Sequence, residues 1–283
     1  MTTTSSQPAR RPVSTAADAP SAAATDDLLT VVSIAALAFV ITDTLQQALG
    51  HAVPALLTIS PFGLLTAAGW SSAYDNTFID AGGVIVNFAV AGLFWIFLAA
   101  ARPRSPRTRL LLVLGCAFNL LAGTGYLVFA GLTDFGDWYS LLRGFAAWSP
   151  IRILLFALGA ILWIAALFAI ASLIARGFGI LRSHRRRLRR LTFLAWLAAV
   201  ALACASSAVN LIGIRFVLLS DFPATVFAQI GLLFVPFCLR NRQSSAGPQP
   251  IARSWTWFAV SAVLTAFFIA FLGRGIALHG KIQ

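Results

Sequence analysis

Long apolar runs separated by short polar or basic stretches organise this chain. Runs of about 18 residues or more, the length that crosses a bilayer as helix, fall near residues 28–50, 81–101, 110–132, 150–174, 191–214 and 255–272. A shorter run, Phe222 to Leu239, is bounded by Pro223 and carries Pro236. Residues 52–72 are apolar but broken by Pro54, Pro61 and Gly63. They read as a short helix pair, a re-entrant segment or a hairpin lying on the bundle, because irregular backbone survives at membrane depth only when protein or a cavity surrounds it. The pattern predicts an all-α fold: a polytopic transmembrane helical bundle of about 6–7 spans, with a broken or re-entrant segment after the first. Residues 1–26, rich in Thr, Ser, Ala and Pro, lack the apolar bulk that compensates ordering, and read as a disordered tail. One membrane domain follows over 27–276, and 277–283 form a short C-terminal tail.

Charge fixes the expected topology. Arg102, Arg104, Arg107 and Arg109 fill one short loop; Arg176, Arg182, Arg185, Arg186, Arg187, Arg189 and Arg190 fill another. If residues 52–72 do not cross and 222–239 do, both loops lie on one side with Arg10, Arg11, Arg240, Arg242 and Arg253. Only Arg143, Arg152, Arg215, Arg274 and Lys281 remain on the other. That bias places the N-terminus in the cytoplasm and gives about seven crossings, or about six if 222–239 is re-entrant. Arg10 and Arg11 stand too far ahead of the first run for an ordinary signal peptide, so that run is expected to stay in place. Trp70, Trp138, Trp148, Trp255 and Trp257 sit near span ends, as interfacial tryptophans do.

Composition agrees and narrows the chemistry. The 283 residues are 59% hydrophobic and 11% charged, with mean hydropathy +0.85, against roughly 25% charged in soluble domains. The net charge of +12 comes from the inter-span loops, so it marks a surface against anionic lipid rather than a nucleic-acid partner. Cys116, Cys204 and Cys238 match no metal or redox spacing and read as reduced, small apolar residues. The chain contains no glutamate; its nine acidic residues are all Asp. Mechanisms that need a glutamate base are excluded.

Polar residues inside the apolar runs are the candidates for function, since ionisable groups at membrane depth face a bundle interior or a wet cavity. Asp43, Gln47 and His51 fall at i, i+4 and i+8 near the end of the first span and share a face of an α-helix. Asp43 lies about 12 Å deeper than His51 at 1.5 Å per residue. A second dense stretch runs from Asn119 through Gly123, Tyr126 and Gly131 to Asp134, Gly136, Asp137 and Trp138. Its small residues suit close helix approach, and Asn119 suits a bond across a helix pair. No strand precedes its glycines, which excludes a nucleotide-binding loop. One His with two or three Asp would make an oxygen-rich metal site.

At these stretches the chain resembles a family. Gln47-Ala48-Leu49-Gly50-His51-Ala52 is similar to the His-Glu-x-Gly-His-Ala helix of site-2-protease-like intramembrane zinc metallopeptidases, and of a bacterial multi-pass membrane family related to them. The segments Asn119 to Trp138 and Arg253 to Ile276 resemble that bacterial family too. In active members two histidines bind zinc, the intervening glutamate activates water and a distant aspartate is the third ligand. The resemblance places His51 at the second histidine, Gln47 at the first, Ala48 at the glutamate, and Asp137, or next Asp134, at the aspartate. Glutamine binds zinc poorly and alanine moves no proton.

The expectation that follows is a non-catalytic relative in a bacterial cytoplasmic membrane, binding or regulating a transmembrane protein or peptide. Two alternatives stand beside it. One is an active membrane metalloenzyme, a peptidase with altered ligands and zinc held by His51, Asp137 and Asp134. The other is a small ion or solute transporter using Asp43, with Gln47, His51, Asn119 and Tyr126 completing the polar site.

Overall fold

The computed structural model describes residues 25–58, 63–72, 77–133, 149–180, 184–212, 222–239 and 249–278, with isolated positions between. Seven helices account for most of them. We label them α1 (Leu28–Leu57), α2 (Thr77–Ala101), α3 (Pro106–Leu132), α4 (Pro150–Phe178), α5 (Arg185–Ala208), α6 (Pro223–Phe237) and α7 (Trp255–Gly273). Six of these are long and apolar enough to cross a membrane, the pattern of a multi-pass membrane protein. α6 is the exception. It breaks near Ile230 and closes in a 3-10 turn at Val235–Phe237, where Pro236 removes a backbone donor.

Helix ends follow local chemistry. Pro106 and Pro150 open α3 and α4 at positions whose N–H groups would be orphaned anyway. Gly179, at φ 61°, closes α4 in the left-handed conformation that glycine adopts without strain. Asp27 caps α1, its Oδ1 accepting from the Thr30 backbone N–H at 2.9 Å and from the Thr30 hydroxyl at 2.8 Å. The Thr30 backbone bond first, then the Thr30 hydroxyl and Arg253, hold this carboxyl below the usual aspartate value, against the opposing effect of burial. A lowered folded-state pKa stabilises above the unfolded value and is lost as pH falls through the folded one. The melting difference between wild type and Asp27→Ala should therefore be constant near neutral pH and close below about pH 4. A difference unchanged through that window would show that the cap acts without its charge.

α3 is the central helix, 83% buried over its most apolar window, whereas α2, α4 and α7 are 22% buried. Small residues let neighbours close on it. A Cβ on Gly131 would lie 2.8 Å from Phe156 Cβ of α4, and one on Gly125 would lie 2.6 Å from Ala228 of α6. The outward helices carry Ile85, Ile96, Phe97, Leu154, Ile161 and Phe267 at half exposure or more. Apolar surface of that extent marks a lipid-facing wall.

The contacts divide the bundle into two ends. At the basic end Arg107 donates to Ala252 O, Arg109 to Gly177 O and to Gln249 Oε1, and Arg187 to Asp26. At the other end Leu211 N–H donates to Arg274 O and Ala67 N–H to Leu272 O. The chain therefore passes from the second end to the basic end between Leu211 and Gln249, through α6. Phe237 lies at the basic end, its ring under the Arg185 guanidinium at 4.2 Å. As a helix of 15 residues α6 would span about 22 Å, short of the roughly 30 Å hydrocarbon core.

Residues 63–71 form the hairpin that was one of three expectations for this stretch. β1 (Gly63–Thr66) pairs antiparallel with β2 (Gly69–Ser71), and β3 (Ile276–Leu278) adds to the other edge of β1, in the order β2-β1-β3. β3 thus takes in Ala277 and Leu278, residues expected to open the tail. α1 has 30 residues and would run about 45 Å, longer than the bilayer core. Its end is roofed by this sheet, with Gln47 Nε2 donating to Ala67 O at 3.2 Å.

Candidate functional site

The polar residues of α1 sit where its winding changes. From Gln46 to Ala52 the helix widens into a π-helical segment, a distortion often found at functional sites. Gly50 meets Gly82 and Gly83 of α2 backbone to backbone; a Cβ on Gly82 would lie 2.0 Å from Gly50 O. The wider turn also redistributes the side chains, because a π-helix turns less per residue than the α-helix assumed from the spacing.

Asp43, Gln47 and His51 accordingly part company. Gln47, 2% exposed, bonds to the hairpin at Ala67 O. His51, 3% exposed, holds Nδ1 2.9 Å from Ile79 O in the first turn of α2. Asp43 is half-buried and faces instead a small cavity between α1, α3 and α6. The lining includes Thr42, Asp43 and Gln46 of α1, Tyr126 of α3, and Thr225 and Gln229 of α6. Of the predicted site residues, the structure brings Asp43 and Tyr126 together on this cavity and sends Gln47 and His51 elsewhere.

Asn119 lies directly behind. Its Nδ2 donates to Thr42 Oγ1 at 2.8 Å and to Gly115 O at 2.7 Å. Two further buried amides join it. Asn87 Nδ2 of α2 donates to Gln46 Oε1 at 3.0 Å, and Gln229 Nε2 donates to Phe118 O at 3.1 Å. Gln46, Asn87, Thr225 and Gln229 escaped the sequence reading. Asn87 and Gln229 carried a usable signal, since each is an isolated amide inside an apolar run. Gln46 was masked by its neighbour Gln47, and only the π-turn decides between them.

Asp134 and Asp137 lie outside the described residues. Among the described residues no three His, Cys, Asp or Glu side chains gather closely enough to hold a metal ion. The helix that would present a zinc ligand at position 47 presents an amide bonded to backbone, and position 48 has no ionisable group. These residues do not fit a zinc centre of the kind the resemblance implies. All three cysteines are free: Cys116 buried, Cys238 partly buried and Cys204 exposed.

Comparison with known proteins leaves the motifs to stand alone. No family model matches the chain, and no curated protein and no solved structure matches it.

Proposed function

We propose that this chain is a non-catalytic multi-pass protein of a bacterial cytoplasmic membrane, built on the outline of a site-2-protease-like metallopeptidase, that binds or regulates a membrane-embedded partner. The basic end would face the cytoplasm, with the N-terminus, by the positive-inside rule. The observation that supports the reading is that the helix resembling the family's metal-binding helix serves here as a brace. Gln47 ties α1 to the hairpin and His51 ties it to α2, each through a backbone carbonyl. A catalytic zinc needs three protein ligands and an open position beside a base. By the resemblance, Gln47 and Ala48 stand where the first ligand and the base would be, and the His51 imidazole has a structural partner.

Metal content of the detergent-purified protein tests this. Wild type and His51→Ala should carry the same background zinc. Near-stoichiometric zinc in wild type, lost in His51→Ala, would overturn the reading in favour of an active metalloenzyme and make peptide cleavage the next assay.

A further inference from the structure

We propose that the cavity between α1, α3 and α6 is a binding site for a single sodium ion, held by oxygen atoms around Asp43. This goes beyond the brace described above and stands independently of it.

The donor set carries the argument. Among the described residues the oxygen donors of the lining are the Asp43 carboxylate, the Gln229 amide, the Thr42 and Thr225 hydroxyls and the Tyr126 phenol, while the Gln46 Oε1 already accepts from Asn87 Nδ2. Among the described residues no imidazole or thiol lines the cavity, so it suits a hard cation rather than a transition metal. The amide orientations are fixed by their partners. Gln229 Nε2 donates to Phe118 O, an atom that can only accept, so Oε1 is the oxygen left over. That oxygen is buried, in a residue 2% exposed, and has no hydrogen-bond donor. Asn119 repeats the arrangement one layer back: Nδ2 engages Gly115 O and Thr42 Oγ1, and the buried Oδ1 has no donor. Because Asn119 donates to Thr42, the Thr42 oxygen is held in place on the cavity wall. A buried acceptor without a partner costs about 1–3 kcal/mol, and a cation is one agent that satisfies several acceptors at once.

Size and charge select the ion. The cavity holds about 10 Å³, room for about one water-sized sphere. A magnesium ion, which keeps several of its waters, does not fit that volume. Among the described lining residues Asp43 supplies one carboxylate, whose single charge a monovalent cation matches more closely than a divalent one in low dielectric. The smaller alkali ion fits the volume better than potassium.

The test uses the full-length, detergent-purified protein. Thermal melts are compared in sodium, potassium and choline chloride at matched ionic strength, with radiolabelled sodium binding measured in parallel. Sodium should raise the melting temperature saturably, as a ligand specific to the folded state does, with about one ion bound per chain. Potassium and choline should do little. Asp43→Asn and Gln229→Leu should each bind sodium at least about tenfold more weakly. Cys204→Ser, on the exposed wall, should retain the full response. Where Asp43→Asn fails to fold, Thr225→Val replaces it and should show the same weakening. Equal melting in sodium and choline, with no bound label, would overturn the site; it is the result expected of a water in the cavity or of a protonated Asp43 donating to Gln229 Oε1. A sodium shift of the same size in wild type, Gln229→Leu and Cys204→Ser would be a general salt effect and would overturn it equally.

Discussion

Gly82→Val will not yield a folded, monodisperse protein, whereas Gly92→Ala, on the same helix, will. The two glycines differ in what lies beside them. A Cβ at Gly82 would come within 2.0 Å of Gly50 O and 3.0 Å of Gly50 C; one at Gly92 meets nothing within 4 Å. The obstruction at Gly82 is backbone, which cannot rotate aside, and the contact is mutual, since a Cβ at Gly50 would lie 2.6 Å from Gly83 Cα. Relief requires α2 to move away from the π segment of α1. That movement breaks the bonds that cross this seam, His51 Nδ1 with Ile79 O and Asn87 Nδ2 with Gln46 Oε1. Overpacking costs about 1–3 kcal/mol, and each buried polar group left without its partner adds about 1–3 kcal/mol. The total is on the order of 5 kcal/mol, comparable to the whole stability of a small domain. Gly82→Ala sets a Cβ against the same backbone oxygen and should lower the melting temperature sharply, Val adding two further methyl groups to the clash. Gly92→Ala should be neutral or slightly stabilising, by up to about 1 kcal/mol of helix propensity. Size-exclusion profiles and thermal melts in detergent decide the matter. A monodisperse Gly82→Val melting near wild type would show that α1 and α2 do not meet at Gly50.

Hydropathy made the spans legible because each needs about 20 apolar residues, a constraint that acts on every residue of the run. The arginine clusters made the ends legible: the loops expected on one side, at 102–109 and 176–190, do meet through Arg109, Gly177 and Gln249. The hairpin at 63–71 was one of three readings. Its proline and glycine breaks signal irregular backbone, but they do not say that β3 will arrive from the far end of the chain to pair with β1. The site was legible in part. Polarity at depth picked out Asp43, Asn119 and Tyr126, and the structure sets them around or beside one cavity. The division of labour between Gln46 and Gln47 was not legible, because it depends on a π-turn that packs on α2 through the Gly50–Gly82 contact. That contact joins two helices through residues with no side chain, and neither period nor hydropathy records it. The zinc expectation drew on a resemblance that set His51 with Asp137 or Asp134; His51 bonds to Ile79 O, and the two aspartates lie outside the described residues.

Asp26→Ala should be the most damaging loss of a single charge among the described residues, though it leaves every helix intact. Asp26 is 5% exposed in its side chain and joins three segments. Its two carboxylate oxygens accept from Arg187 Nε and Nη2, each at 2.7 Å, which is the paired geometry of a guanidinium on a carboxylate. Oδ1 also accepts from the Ile251 backbone N–H at 2.9 Å, and Asp27 N–H returns a bond to Ile251 O at 2.8 Å. The start of α1, the first turn of α5 and the approach to α7 are thereby clasped at the basic end. Breaking a buried ion pair on one side costs about 3–5 kcal/mol. Arg187 keeps 19% exposure and can reach water, which lowers the expectation here to about 2–3 kcal/mol. Asp27→Ala should cost less through its ion pair, because its partner Arg253 is 59% exposed and exposed pairs stabilise little. Orientation in the membrane should not change, since aspartates contribute little to the positive-inside bias. Unfolding of Asp26→Ala, Arg187→Ala and the double variant in detergent completes the cycle. The double variant should be less destabilised than the sum of the singles, because removing both partners leaves no uncompensated charge. Additive losses would mean that Asp26 acts through Ile251 alone, and the clasp would then be a backbone contact between the starts of α1 and α7 rather than an ion pair reaching α5.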